Sequence, residues 1–438
     1  MDFIYPLVLA IICMSLTTLT TTLYWRPPHF FKRKLNSPDT ISYQRLVLAM
    51  KEVLHPRAVD IPTLLKERAD SNQRLVRALN ISNTFVSPDP IVHKEFVGQA
   101  QYLLNGAKRR GWAHFQAIAL EAVQWQLSSH SGDGELSDED GPIILPFDSF
   151  IQNVTLVVVL VGILQVDKPV ESFSYHDITI VARNITVLWA LSKKQEPIPP
   201  IYLEQLTESL RRLVEDEERF PDPANLIVPA WETLWRVVAT TVAYSFNNEE
   251  IREAFSAFND CPSDDAFRGG PGGDPSGRVA VKCVVHEAMR LRPPSKRIAR
   301  LRKRAWCPSF IYNWLEASIT RTKHYADVEK LLHCRDIWGM DAGDFDPSRQ
   351  SLCHHAHTHT VATIGERERD EALGFVFGHG PLRCIASSWA PMAAAVISGA
   401  ILKQLRTRRY TLEAGKAVGG RDGWMEWSLR KISDEMNL

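Results

Sequence analysis

The stretch that most constrains the fold is a glycine-rich loop around one cysteine, residues 377–386, with the sequence FGHGPLRCIA. Its glycines, among them Gly380, let the backbone pass close to a flat ligand, because a residue without a Cβ leaves that space open. Phe377 supplies an aromatic wall beside the sulfur of Cys384. The apolar stretch Ser387 to Leu405 follows at once and predicts a helix, whose first N–H groups favour a thiolate. The loop therefore suits a cysteine that ligates iron; the alternative is a turn cysteine that only packs.

A second segment, VVHEAMRLRPP at residues 284–294, predicts a helix that ends at a pair of prolines. Glu287 and Arg290 are three residues apart, so they share one face of the helix and are able to pair. Pro293 and Pro294 end the helix because proline has no N–H to donate and restricts the residue before it. Surface helices contain such pairs routinely. This pair is informative because of where its segment stands in the order of segments along the chain, and because two prolines follow it.

A third segment begins at Leu226 with the sequence LIVPAWETLW and continues as an apolar helical pattern to Tyr244. Glu232 and Thr233 place an acid and a hydroxyl side by side within this apolar stretch. Pro229 predicts a local break, because it lacks the N–H that the helix requires. The simplest interpretation of this segment alone is a buried helix with a capping acid.

Together, the three segments resemble the cytochrome P450 family, and their order along the chain matches. The loop F-x-x-G-x-x-x-C-x-A resembles the family's haem-ligand loop, and E-x-x-R resembles its buried ion-pair helix. The resemblance is to microsomal members from filamentous fungi. It implies a mainly α fold with small β-sheets, a cytochrome P450-like single catalytic domain at residues 35–438, and haem b (iron protoporphyrin IX) as cofactor. Cys384 is then the axial ligand of the haem iron, beside Phe377 and Gly380.

The resemblance also assigns roles to the other motifs. Glu287 and Arg290 form a structural network behind the haem, with Arg349 as the third partner. Thr233 and Glu232 correspond to the threonine and acid that organise protons on the oxygen-binding face.

The loop departs from the family at Leu382, where an arginine usually contacts a haem propionate. The replacement expected from family position is Arg300, with Arg297 next. The helix that supplies an aromatic and a basic residue to the propionates has three further candidates, Arg109, Arg110 and Trp112.

The function implied by the resemblance is a haem-thiolate monooxygenase that activates O2 and hydroxylates or epoxidises a lipophilic small molecule, in fungal secondary metabolism. Electrons come from NADPH through a separate partner, NADPH-cytochrome P450 reductase. Two alternatives stay open. One is a haem-thiolate isomerase, dehydratase or peroxygenase that needs no reductase, and the other is a non-catalytic membrane-anchored haem binder.

The N-terminal residues 1–34 predict a membrane anchor followed by a basic, proline-containing hinge. No charged residue occurs from Phe3 to Tyr24, a length about sufficient to span the hydrocarbon of a bilayer. A basic cluster, Lys32 to Lys34, follows this stretch and places the rest of the chain in the cytosol. The expectation is a single-pass protein of the endoplasmic reticulum membrane with a cytosolic catalytic domain. A cleaved signal peptide is the alternative, although its positive charge would precede the apolar run.

Composition excludes some other classes. The chain carries 51 basic and 51 acidic residues, so its formal net charge of zero gives no reason to expect nucleic acid as a partner. The 7 cysteines are scattered, which does not indicate a secreted disulfide scaffold. A histidine-rich stretch at residues 354–359 is more typical of an exposed loop than of a metal site.

Overall fold

The computed structural model describes residues 38–129, 143–269, 279–303, 321–350, 365–421 and 423–432. The described residues from Tyr43 onward form one compact unit. The predicted membrane anchor, residues 1–34, lies outside the described residues, as does the histidine-rich stretch. Within the described ranges, no helix is both long enough and apolar enough to cross a membrane.

Helices make up most of the described structure, and they differ widely in length. In chain order they are Pro38–Leu54 (α1), Ile61–Leu79 (α2), Pro90–Ser129 (α3), Phe147–Val158 (α4), Tyr175–Leu191 (α5), Ile201–Leu213 (α6), Ala224–Trp231 (α7), Leu234–Ser245 (α8), Glu249–Asp260 (α9), Asp264–Arg268 (α10), Val281–Leu291 (α11), Val328–Leu332 (α12), Arg335–Trp338 (α13), Glu366–Gly374 (α14) and Ala390–Thr407 (α15).

Two small antiparallel sheets accompany the helices. The strands are Ile144–Pro146 (β1), Arg297–Lys303 (β2), Arg321–Asp327 (β3), Tyr410–Glu413 (β4) and Ser428–Lys431 (β5). One sheet has the order β1-β5-β4, and the other pairs β2 with β3. The register of the second sheet runs from Arg297 opposite Asp327 to Lys303 opposite Arg321. The predicted fold class, mainly α with small sheets, is therefore confirmed.

The core is a group of helices around α15, which packs against α3, α8 and α9. A further helix, α4, packs against α3, α5 and α8. The run from Val154 to Leu160 in and just after α4 is almost all β-branched or leucine, yet it is helical and entirely buried. Burial on every side outweighs the modest helix propensity of valine, because tertiary packing supplies most helical stability in proteins.

Helix α3 is interrupted at Gly111, whose backbone angles are φ 81° and ψ 166°. Such a positive φ is accessible to glycine at little cost, because glycine lacks a Cβ. The kink brings Trp112 against Trp389, just before α15, with ring centroids 5.5 Å apart. The two halves of α3 thus run in different directions, and the second half packs along the core.

The packing predicts different costs for two leucine truncations. Leu405 in α15 is completely buried, whereas Leu48 in α1 is 61% exposed. We expect Leu405→Ala to lower the free energy of unfolding by about 2–5 kcal/mol, because it leaves a cavity. We expect Leu48→Ala to change it by less than about 0.5 kcal/mol. Urea unfolding followed by circular dichroism measures both, and equal losses would contradict the assigned core.

Candidate functional site

The loop around Cys384 is built by two short turns and two glycines. A single 3-10 turn, Phe375–Phe377, follows α14, and a second one, Gly380–Leu382, precedes the cysteine. Gly378 and Gly380 have φ values of 80° and 73°, which side chains with a Cβ rarely adopt. The Cys384 N–H donates to the Phe377 carbonyl oxygen at 2.8 Å and closes the loop. The backbones of Cys384 and Phe377 are thereby held together.

Glycine is also required at position 380 because the side chain of His55 lies close to it. A Cβ at this position would lie 2.7 Å from the Cβ of His55, which follows α1. Such a distance is a steric clash, so α1 and the cysteine loop approach each other only because residue 380 is glycine.

The sulfur of Cys384 lies in surroundings that favour the neutral thiol. The residue keeps some exposed surface, but the density of protein atoms around the sulfur raises the pKa of the thiol. The Ala386 N–H, which donates to the sulfur, and the charge of Arg383 lower this pKa and offset only part of the effect. A cysteine in this state becomes a thiolate when a metal ion displaces its proton.

The helix after the cysteine begins later than predicted. The sequence predicts a start at Ser387, but α15 begins at Ala390. Pro391 occupies the first turn of α15, the position at which proline is favoured, and the residues before it form turns. The expectation that the helix N-terminus directly stabilises the thiolate is therefore wrong, and the local N–H donor is that of Ala386.

The predicted pair of Glu287 and Arg290 is completely buried in α11. Arg290 donates from Nε and Nη2 to the two carboxylate oxygens of Glu287, both at 2.8 Å. Its Nη1 donates to the carbonyl oxygens of Leu332 and Ala342, at 2.9 and 2.8 Å. Burying two charges is costly unless their hydrogen bonds are satisfied, and these bonds satisfy them. The pair thus fixes the end of α12 and the irregular chain around Ala342 onto α11.

Arg349 joins this network, as the sequence predicts, but mainly through a partner that the sequence did not reveal. Its Nε lies 3.6 Å from a Glu287 oxygen, whereas both of its terminal nitrogens donate to Asp341, at 2.8 and 2.6 Å. These bonds lower the pKa of Asp341 and raise that of Arg349. The Arg349 carbonyl accepts from Arg369 in α14, at 2.8 Å. The network therefore extends to the helix that leads into the cysteine loop.

Glu232 and Thr233 lie at a break between α7 and α8, whereas Pro229, at which the sequence predicts a break, lies inside α7. Glu232 is 2% exposed, and one of its carboxylate oxygens accepts from Arg236 while the other pairs with Arg421. Arg236 also donates to the Glu232 carbonyl oxygen at 3.0 Å. Thr233 is partly exposed, and its hydroxyl does not cap α8. The break is therefore fixed by ion pairs, and the two predicted residues have different surroundings.

The two predicted propionate ligands on β2 lie in different environments. Arg300 is 4% exposed, whereas Arg297 lies at the surface, where it pairs with Asp327 at 3.2 Å. The difference follows from the alternation of side chains along a strand, since positions 297 and 300 face opposite sides. Only Arg300 is placed to contribute charge to an interior site.

Arg300 has a buried companion, Arg68 of α2, which is 6% exposed. Burial, together with the charge of Arg300, lowers the pKa of Arg68 to about 9. Burial also lowers the pKa of Arg300 to about 10, although Glu67 opposes this. The Nε atoms of both arginines are buried and lack a hydrogen-bond partner. The Glu67 carboxylate is bound by Arg302, at 3.1 and 3.0 Å, so the two buried cations lack a carboxylate of their own among the described residues.

The other propionate candidates do not join this cluster. Arg109 and Arg110 are exposed, and Arg110 donates to Gln165 at 3.3 Å. Trp112 packs against Trp389, as described above. Near Arg68, the Thr84 hydroxyl bonds both the guanidinium and Nδ1 of His93. Arg68 and His93 are thus the residues that sequence analysis missed.

A different metal site is not found in the part of the chain that the structure describes. No group of three or more His, Cys, Asp or Glu side chains there is arranged to hold a metal ion.

Comparisons with known proteins identify the fold. No protein-family model matches the chain, and no curated protein sequence matches it. The chain is similar to the solved haem domain of cytochrome P450DA, with a TM-score of 0.52 and 13% sequence identity over 93% of this chain and 96% of that one. A variant of that domain with three substitutions gives a TM-score of 0.53 and 14% identity over the same shares. The chain therefore has the fold of cytochrome P450 haem domains.

The buried network gives a prediction about stability. Glu287→Gln removes one charge and leaves Arg290 buried without its counterion, so we expect a loss of about 3–5 kcal/mol in the free energy of unfolding. The control is Glu426→Gln, which removes the charge of a carboxylate paired with Lys416 at the surface. That change should cost at most about 1 kcal/mol. Urea unfolding compares the two, and a Glu287→Gln variant as stable as the control would contradict the network.

Proposed function

We propose that this protein is a haem-thiolate monooxygenase in which Cys384 is the axial ligand of the haem iron. The observation that carries the proposal is the closed loop at Cys384 within a cytochrome P450 haem-domain fold. Because the surrounding protein atoms raise the pKa of the thiol, iron would have to displace its proton on binding.

The residues present fit haem b. This cofactor carries two propionate groups, and the buried cations Arg300 and Arg68 lack carboxylate partners among the described residues. Propionates would satisfy both, since charge-assisted bonds from arginine to carboxylates are strong. Phe377 and Gly380 would lie along the loop beside the porphyrin. When bound, the haem supplies the one-electron and O2 chemistry, while the protein supplies ligand, orientation and electrostatics.

Thr233 is the group that we assign to proton delivery. Its hydroxyl lies at the helix break and is not used to cap α8. Glu232 holds the break in place, because its two oxygens are engaged by Arg236 and Arg421. In the proposed reaction, Thr233 Oγ1 would relay a proton from solvent water, giving its own proton to the substrate side and taking one from water in return, while Glu232 positions the threonine rather than exchanging protons itself.

The remaining parts of the proposal rest on the sequence. Electrons come from NADPH through a separate cytochrome P450 reductase, and the product is a hydroxylated or epoxidised lipophilic molecule of fungal secondary metabolism. The uncharged stretch from Phe3 to Tyr24, with basic residues after it, supports a single-pass anchor in the endoplasmic reticulum. Oxidation of NADPH by the purified pair of proteins, together with product formation, tests this part.

One observation favours a second candidate function. The acid expected to relay protons, Glu232, is bound by two arginines and has no carboxylate oxygen left without a guanidinium partner. Such a site suits a haem-thiolate isomerase, dehydratase or peroxygenase. These enzymes work without a reductase and so without the proton delivery that accompanies its electrons. Turnover without reductase or NADPH would favour this candidate over the monooxygenase.

The proposal predicts a specific spectrum. We expect the reduced protein with carbon monoxide to show a red-shifted Soret band that Cys384→Ser abolishes, because the thiolate ligand is lost. Cys261→Ser is the matched control, since Cys261 is also a free, exposed cysteine. Absence of haem in the wild-type protein, or a band that survives Cys384→Ser, would contradict the proposed ligand.

The assignment of the propionate ligands can be tested without turnover. We expect Arg300→Gln and Arg68→Gln each to weaken haem binding by about 10-fold or more, because each removes a charge-assisted bond. Arg297→Gln, on the same strand but at the surface, should change it little. Soret titration of the haem-free protein measures the affinities, with iron protoporphyrin dimethyl ester as the second ligand. Equal sensitivity of the ester to these substitutions would contradict the assignment.

A further inference from the structure

Trp189, near the end of α5, lies close to two arginines from distant parts of the chain. The guanidinium carbon of Arg421 lies 4.7 Å from the indole ring centroid, and that of Arg74 lies 5.2 Å from it. Contact with an aromatic face stabilises a cation, but it does not neutralise its charge. Two positive charges thus converge on one side chain.

The charges in this region do not balance. Arg421 and Arg236 share the single carboxylate of Glu232. Within the described part of the chain, Arg74 contacts no carboxylate. Its Nη1 donates a hydrogen bond to the Ser192 hydroxyl. Three arginines therefore surround one acid.

Burial makes this excess of positive charge costly. It lowers the pKa of Arg421 to about 10 and also lowers the pKa of Arg74, although Glu232 opposes both effects. The Nε of Arg421 is buried and has no hydrogen-bond partner. A cluster of cations that lacks counterions is destabilising on its own, and an anion bound nearby removes the cost.

A pocket opens directly onto Arg74. It has a volume of about 460 Å³ and lies between α2 and the chain that follows α5, with Gln73, Arg77, Ser192 and Lys194 among its lining residues. The pocket is a depression that is largely open to solvent, so it would contact one end of a ligand rather than enclose it. The lining side chains are polar or positively charged, so the pocket would repel a cation and attract an anion.

The simpler interpretation is that these arginines cap the end of α5. Arg77 does so, because its Nη2 donates to the carbonyl oxygens of Ser192, at 3.1 Å, and Lys194. Arg74 does not, because it donates to a hydroxyl and to no helix carbonyl. Capping therefore accounts for Arg77 and leaves the charge of Arg74 unexplained.

We propose that this pocket binds the carboxylate of an anionic substrate through Arg74, with Arg421 and Arg236 adding positive potential behind it. The assignment to the substrate rests on the proposed function, because Glu232, which both Arg421 and Arg236 bind, adjoins Thr233 at the helix break. The proposed substrate class is therefore a small molecule that carries a carboxylate.

The test compares two ligands of equal length, octanoate and 1-octanol, by isothermal titration of the haem-containing protein. We expect octanoate to bind at least about 10-fold more tightly than 1-octanol, and Arg74→Gln to remove this preference, because a charge-assisted bond is lost. Arg74→Lys should retain most of the preference. The control Arg45→Gln removes an equal charge from an exposed position on α1 and should leave it unchanged.

The outcomes separate this inference from the proposed function. Equal affinities for the two ligands, or a preference that survives Arg74→Gln, overturn the carboxylate site. If the band dependent on Cys384 is present in the same protein, the haem-thiolate function stands without it. Conversely, an Arg74-dependent preference in a protein that takes up no haem supports the anion site and overturns the function. Thermal melting of Arg74→Gln and Arg74→Lys shows that both variants are folded.

Discussion

The position of the loop around Cys384 depends on one buried ion pair, Glu287 with Arg290. Both side chains are completely buried, so their charges are tolerable only because each polar atom has a partner. Those partners are the backbone carbonyls of Leu332 and Ala342, in the chain after β3, together with Arg349. The Arg349 carbonyl in turn accepts a hydrogen bond from α14. Since α14 leads directly into the loop of Cys384, the ion pair orders a stretch that has little regular structure of its own. In this stretch, the ion pair and its hydrogen bonds hold the chain in place, as regular backbone hydrogen bonds do in a helix or sheet.

Buried arginines recur beyond this pair, and outside it they outnumber the acids. Arg68 and Arg300 form one cationic cluster, while Arg74 belongs to a second cluster at Trp189. A buried charge without a partner lowers stability. We infer that the two clusters are retained for a reason other than the packing of the folded core. In the two proposals above, anionic ligands supply that reason: haem propionates at the first cluster and a substrate carboxylate at the second. Binding would then stabilise the fold as well as position the reactants.

Sequence predicted those features of the site that depend on local spacing. The pairing of Glu287 with Arg290 follows from a separation of three residues on a helix. The break at Glu232 and Thr233 was not located by sequence, because α7 continues through Pro229 and ends only at Trp231. The mainly α fold followed from the order of the motifs. Sequence did not predict Arg421 beside Glu232 or Arg68 beside Arg300, because these contacts join distant segments and have no periodic signature. It ranked Arg300 above Arg297 only from family position, whereas the structure separates them by which face of β2 is buried.

Helix α2 contributes one arginine to each cationic cluster, and this has a geometric consequence. Arg68 and Arg74 are six residues apart in one unbroken helix, so their backbones are separated by about 9 Å along its axis and rotated by about 240°. Arg68 accordingly faces Thr84, while Arg74 faces Ser192. With propionates bound at the first and a substrate carboxylate at the second, the backbone of α2 would set the distance between cofactor and substrate anion. A rigid helix holds such a distance better than two flexible loops, because its hydrogen bonds leave no soft torsion between the two residues.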